Sequence, residues 1–259
     1  MGDSLPSSTT DDDLAAVADA LTEADVAVAL TGAGVSTASG VPSFRGEGGI
    51  WRTEFDPGDF RIGRFDADPA GFWRDRLRLH EAMFPESVAP NAAHEALARL
   101  EREGFLDAVI TQNTDGLHAE AGSDRVLELH GTGARVVCRD CGRREEAAPV
   151  RERVRTGELP PRCDGCGGVY KPDVVLFGEA LPRETFAEAR RLAADSDVFL
   201  AVGSSLTVEP AASLPGVAAE GGTLVLVNRE ETPYSDRAHA EFRADAAATL
   251  SKLAELVSR

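Results

Sequence analysis

A doubly wound, parallel α/β sheet with a smaller domain inserted into it is the fold class this sequence predicts. Three observations predict it. Short apolar runs recur at 26–30, 107–111, 126–130, 197–202 and 223–227, with helical periodicity between most of them. Four runs end in polar or glycine-rich turns, T-G-A-G-V-S (31–36), Q-N-T-D-G (112–116), G-S-S (203–205) and N-R-E (228–230). Ligands of such sheets bind beyond the carboxyl ends of the strands. Finally, two C-x-x-C pairs break the rhythm within about 136–170, which reads as an insertion.

Residues 11–23, D-D-D-L-A-A-V-A-D-A-L-T-E, set Leu14, Val17, Ala18 and Leu21 on one helical face, with acids at the end where the helix dipole favours them. V-A-V-A-L (26–30) is apolar throughout, as a parallel strand covered on both faces should be. Residues 44–68, rich in Gly, Asp and Arg, are expected to be irregular. Helical patterns follow at 69–84 and 91–103, the second capped by Asn91. Helices at 183–195, 210–219 and 246–257 alternate with the last two strands. The predicted division is a nucleotide-binding domain of residues 1–43, 88–133 and 176–259, and a small domain made of a loop and helical part (44–87) and a cysteine part (134–175).

A chain of 259 residues with 42% apolar content can bury a full core, and no apolar run approaches a membrane span. The opening M-G-D-S-L-P lacks a basic segment followed by an apolar one, so the expectation is a soluble, cytoplasmic protein. Net charge is −17, from 44 acidic and 27 basic residues, and only Lys171 and Lys252 are lysines. Such a surface repels nucleic acid and anionic membranes, and neither is an expected partner. The balance resembles proteins of salt-loaded cytoplasms, where screening relieves self-repulsion, and predicts a loss of stability when salt is removed.

G-A-G after the first strand lets a backbone approach a pyrophosphate. The third glycine of the dinucleotide fingerprint is replaced by Thr37, and the acids at the right distance, Glu54 and Asp56, follow no strand. Simple hydride transfer is therefore disfavoured. The motifs T-G-A-G-V-S-T-A-S-G-V-P-S-F-R-G (31–46), G-I-W (49–51), T-Q-N-T-D-G-L-H (111–118), E-L-H-G (128–131), K-P-D-V-V-L-F-G-E (171–179), G-S-S-L-T-V-E-P-A (203–211) and V-N-R-E (227–230), in this order with the paired cysteines, resemble those of the sirtuins. The likeness runs over about 12–257. It departs from the family at Ser43, Thr114, Leu176 and Ser204.

The resemblance implies a Rossmann-like domain and removal of acetyl groups from protein lysines, with NAD consumed as co-substrate. The acetyl oxygen attacks the ribose carbon, nicotinamide leaves, and a base takes the proton of the 2′-hydroxyl, giving O-acetyl-ADP-ribose and free lysine. It also implies that Gly32, Ala33, Gly34 and Thr37 cradle phosphates with Arg45 nearby, and that Phe44 covers the ribose. Gln112 would support the ribose and Asn113 would orient a water. Thr114 would line the nicotinamide pocket, and Asp115, with the backbone near Val41, would read the carboxamide. Gly203, Ser204, Ser205 and Asn228 would bind the adenosine side, adjoined by Arg229, Glu230, Asp245 and Ala246. Val174, Leu176 and Phe177 would wall a tunnel for acetyl-lysine, while backbone at 177–179, including Gly178 and Glu179, and at 206–208 would clamp the peptide as an added strand.

Residue chemistry supports His130 as the base: an imidazole of near-neutral pKa at the end of a strand, with Gly131 leaving room beside it. His118 is the rival. His80, His94 and His239 are read as surface-helix or loop residues. Asp115-Gly116 also fits a helix cap or turn, and 174–177 also fits a buried strand. Members of the family that prefer succinyl or malonyl groups carry a Tyr and, three residues later, an Arg in the helix near 72–80. F-W-R-D-R-L-R-L-H has no tyrosine, so acetyl is favoured. Cys138, Cys141, Cys163 and Cys166, two pairs separated by 21 residues, fit one structural Zn²⁺, with redox dithiols as the other reading. Mono-ADP-ribosyl transfer, or a non-catalytic NAD-binding zinc-ribbon module, are the alternative functions.

Overall fold

The computed structural model describes residues 11–44, 49–85 and 87–258. In chain order the elements are α1 (Asp11–Glu23), β1 (Ala27–Thr31), α2 (Ile50–Thr53), α3 (Ile62–Ala67), α4 (Pro69–Met83), α5 (Ala92–Arg102), β2 (Ala108–Thr111), α6 (Leu117–Glu120), β3 (Val126–Glu128), β4 (Gly131–Cys138), β5 (Arg144–Glu146), α7 (Ala147–Arg155), β6 (Tyr170–Val174), α8 (Arg183–Asp195), β7 (Val198–Val202), α9 (Leu214–Ala218), β8 (Thr223–Val227), β9 (Ala240–Phe242) and α10 (Ala246–Val257).

Six strands form one parallel sheet in the order β3-β2-β1-β7-β8-β9. The strand order reverses between β1 and β7, and this switch point opens a crevice above the strand ends. Alternation along the strands divides the core. Ala29, Val109, Leu200 and Val225 face α1, α5 and α10 through Leu14, Leu21, Leu97, Leu100 and Leu250. Val28, Leu30, Ile110, Phe199 and Leu224 face α8 and α9 through Ala189, Leu192 and Leu214. Each fully buried leucine contributes about 1.5–3 kcal/mol, which makes this sheet the rigid part of the molecule.

A separate core joins the two inserted segments. Phe60, Phe65, Phe72, Trp73, Leu79 and Met83 pack against Val136, Val150, Val154 and Tyr170. Trp73 fastens the halves together, its indole N–H donating to the Tyr170 carbonyl at 2.7 Å. Here β5-β4-β6 form an antiparallel sheet that the sequence reading left without elements.

Other boundaries differ for local reasons. The run at 126–130 is a strand only to Glu128, with Leu129 and His130 in the turn beyond. The expected helix at 210–219 is a 3₁₀ turn, Ala211–Ser213, followed by α9, because Pro215 suits only a first helical turn. Residues 44–68, expected to be irregular, include α2, a 3₁₀ turn at Pro57–Phe60 and α3. The edge strand β9 was not anticipated; only three residues long, it has no apolar run to announce it.

Candidate active site

The turns after β1, β2 and β7 meet at the switch point. Gly32 N–H donates to the Val202 carbonyl at 3.0 Å and Gly34 N–H to the Gly203 carbonyl at 2.8 Å. A β-carbon on Gly34 would lie 2.7 Å from Gly203 Cα, so the glycines let two loops run flush. The N–H groups of these two residues are therefore engaged by the protein itself, and their contribution to a phosphate cradle is the path of the loop. Thr37 Oγ1 donates to the Gly34 carbonyl at 3.0 Å and steadies that path. Arg45 lies outside the described residues.

The polar residues of 111–118 are bound into a network. Gln112 Nε2 donates to Ser204 Oγ at 2.9 Å, tying β2 to β7. Asn113, 6% exposed, donates to the Gly32 carbonyl at 3.1 Å and to Ser36 Oγ at 3.0 Å. Ser36 in turn donates to the Asp115 carboxylate at 2.8 Å, and Asp115 also accepts from Leu117 N–H at 3.0 Å. Asp115 thus does cap the turn into α6, as one of its two readings had it, while its other oxygen holds the glycine loop.

His94 was assigned to a surface helix. It is instead fully buried. Its Nδ1 accepts from Asn91 N–H at 3.2 Å, which places its proton on Nε2, 3.3 Å from Ser36 Oγ. The ring therefore extends the chain to Ser36 and Asp115. Asn91 and His94 occupy the two positions of a capping box, a spacing that could have been read from the sequence. His118 is buried too, with Nε2 2.9 Å from Thr31 Oγ1, whose hydroxyl donates to Thr111. Its ring is thus linked through Thr31 to the ends of both β1 and β2. Burial pushes His118 down to about 3, with His94 as a second cause, and burial lowers His94 as well. Both rings stay neutral. His80 also leaves the surface reading, lining a cavity in the small domain, whereas His239 is exposed and accepts from Leu224 N–H at 3.0 Å.

His130 differs from both. It is half-buried, and Nδ1 stands 2.9 Å from the Gln112 carbonyl. A carbonyl only accepts, so Nδ1 carries the proton and the neutral ring has its lone pair on Nε2. Gly131, at φ 70°, has a second structural reason to be glycine: a β-carbon there would meet the Asp173 carbonyl at 2.2 Å. The glycine is needed for β6 to pack against β4.

Phe44 stacks on Trp51 at 5.4 Å, and Trp51 contacts Phe60 at 5.3 Å and Phe177 at 6.0 Å. Val174 and Leu176 are buried beside them, Val174 closing strand β6 and Leu176 lying beyond it. The expected backbone clamp is corrected at Phe177, whose N–H donates to Phe60 O at 3.2 Å and whose carbonyl accepts from Ile62 N–H at 3.0 Å. Gly178 adopts φ 90° in the exposed turn. Glu179 points inward, accepting from Lys171 Nζ at 2.8 Å and Leu176 N–H at 2.8 Å, and so holds the turn closed. On the far side Ser205 is exposed and Asn228 Nδ2 donates to the Glu230 carbonyl at 2.8 Å. Arg229 pairs with Asp245 at 2.7 Å, and Asp245 caps α10 just before Ala246.

The four cysteine sulfurs lie within 4.8 Å of one another, with Cys138 and Cys166 at 3.5 Å and Cys141 and Cys163 at 3.8 Å. A ZnS₄ tetrahedron with bonds of about 2.3 Å has edges of about 3.8 Å, so the cluster fits one structural zinc with no open position for chemistry. Gly142 and Gly167, at φ 71° and 77°, turn the chain after each pair.

Residues 32–210 match the Sir2 family. The chain belongs to the Sir2 family. An NAD-dependent protein deacetylase of Haloarcula marismortui is 62% identical over 245 residues, 93% of this chain and 94% of the relative. A structure that defines the mechanism and regulation of Sir2 enzymes superposes with a TM-score of 0.85 at 42% identity, covering 96% of this chain and 99% of that one. A Sir2 complex with a p53 peptide and NAD⁺ gives 0.83 at 38% identity, covering 93% and 96%. The Sir2 fold, an NAD-dependent activity and the structural zinc expected from the sequence all stand.

Proposed function

We infer that His130 is the general base of this Sir2 site. The observation that supports the reading most strongly is the bond from Nδ1–H to the Gln112 carbonyl, which leaves Nε2 as the basic nitrogen. The chain is an NAD-dependent protein deacetylase, yielding nicotinamide, O-acetyl-ADP-ribose and free lysine. NAD, when bound, supplies the ribose carbon that accepts the acetyl oxygen and the 2′-hydroxyl that must lose a proton.

The remaining roles belong to this chain's residues. Gly32, Ala33, Gly34 and Thr37 present the phosphate loop, with Arg45 as the nearby charge. Gln112 orients the ribose side and is itself held by Ser204. Asn113, an uncharged amide fixed by Gly32 and Ser36, positions water without a charge to desolvate. Asp115 reads the nicotinamide amide next to Thr114, its carboxylate held by Ser36, which His94 supports. Gly203, Ser204, Ser205 and Asn228 serve the adenosine side, with Arg229, Glu230, Asp245 and Ala246 at its margin. Phe44 excludes water from the ribose face.

Val174, Leu176 and Phe177 wall the lysine stem. Because the Phe177 backbone is already paired, an added peptide strand would bond to Gly178 and residues 206–208. The separate aromatic core supports a division into a nucleotide-binding domain (1–43, 88–133, 176–259) and a small domain (44–87 with 134–175). Among the described residues no helix is long and apolar enough to cross a membrane. We place the protein in the cytoplasm, acting on acetylated proteins, with neither membrane nor nucleic acid as partner; the charge of −17 supports both exclusions.

The test is incubation with NAD and an acetyl-lysine peptide, read by mass spectrometry. Nicotinamide and O-acetyl-ADP-ribose should form with the wild type and fall by about 10²–10⁴-fold with His130→Ala. Full turnover by that variant would overturn the assignment of the base.

A further inference from the structure

One cavity is unused by the deacetylase reading. It lies in the small domain between α4, α7 and β4 and has a volume of about 10 Å³, room for a single water-sized occupant. Arg76, His80, Arg135 and Arg151 line it beside Trp73 and Pro172, and no carboxylate does. Arg135 is balanced by Asp173 at 3.2 Å and Glu128 at 3.5 Å, neither of which reaches the cavity wall. Arg155, the next turn along α7, is balanced by Glu81 and Glu152.

Arg76 and Arg151 are left over. Among the described residues neither has a carboxylate within ion-pair distance. Both converge on Gly133. Arg151 Nη1 donates to its carbonyl at 3.1 Å, and Arg76 Nη2 lies 3.8 Å from the place of a β-carbon there. Burial, then Arg151, pulls Arg76 down to about 10; burial, then Arg151 and Arg76, pulls His80 down to about 4. Two half-buried cations facing one small void are unfavourable without a counter-charge.

We propose that this cavity binds one small monovalent inorganic anion, of the chloride type, between the guanidinium groups of Arg76 and Arg151 and the ring of His80. The occupant staples α4 to α7, which come from the two separate inserted segments. Gly133 N–H donates to the Thr114 carbonyl at 2.8 Å, so the braced strand also abuts the turn that carries Asn113 and Asp115.

Anion exchange at fixed potassium concentration and fixed ionic strength tests the proposal without changing the screening of the acidic surface. Chloride replacing glutamate should raise the melting temperature of the wild type by about 4 °C with a saturating dependence. The protein should also broaden the chlorine-35 resonance in solution. Both effects should vanish in the Arg76→Gln, Arg151→Gln double variant. Should that variant not fold, Arg151→Lys and a crystal of the wild type soaked in bromide take its place, with an anomalous peak expected inside the cavity. Equal chloride effects in wild type and variant, or a bromide-soaked cavity holding only water, would overturn it.

Discussion

The parallel sheet and the small domain solve the same problem by different means. The sheet buries continuous apolar strands on both faces, so its geometry is over-determined by many interchangeable contacts. The small domain spans two distant segments with one aromatic core and four thiolates, and two of its three antiparallel strands, β4 and β5, are half exposed. Stability that is spread over many contacts tolerates the loss of one. Stability concentrated in a cluster does not.

Zinc removal should break the comparison most severely. Structural zinc sites contribute about 10–16 kcal/mol of apparent binding energy, so chelation or Cys163→Ser should unfold the small domain while the sheet persists. Hydrogen exchange should show protection lost in β4–β6 and kept in β1, β7 and β8, and peptide turnover should disappear. Uniform loss across both regions would mean that they do not fold separately. A single deletion in the sheet, Leu97→Ala, should cost about 2–5 kcal/mol by chemical denaturation with zinc retained, leaving the protein folded.

Acid sharpens the contrast further. His118 and His94 have folded pKa values below the unfolded value of about 6.5, so the unfolded chain binds protons that the folded chain refuses. The contribution of His118 is complete above about pH 6.5 and falls as pH drops toward 3, by about 1.4 kcal/mol per pH unit, and His94 acts in the same direction. His118→Gln should flatten that slope, as measured by denaturant midpoints across pH. The smallest effect should come from Arg229→Ala. Its pair with Asp245 is exposed, and its loss should cost under about 1 kcal/mol of stability.

What the sequence disclosed follows the same divide. Runs such as 223–227 announce themselves because both faces are buried, and the strand matches the run residue for residue. β4–β6 carry no such run, since thiolates and a neighbouring core replace local pattern as their cause. In the site, the motif pointed to the strand ends where Asn113 and Asp115 meet the glycine loop and His130 meets Gln112. For His94 only the capping-box spacing from Asn91 was local; its other partner, Ser36, lies 58 positions away in the chain. The Phe177 backbone was misread because its partners, Phe60 and Ile62, sit in a stretch that looked irregular.

Asn91 serves two elements at once. Its side chain accepts from Ala93 N–H at 2.8 Å at the start of α5, while its amide donates to the Val35 carbonyl and to Ser39 Oγ, both at 2.9 Å. One residue thus rivets a helix of the rigid sheet to the glycine loop, making that half of the crevice a fixed jaw. The glycine loop is therefore held in place by α5 before any dinucleotide arrives, so binding need not order it.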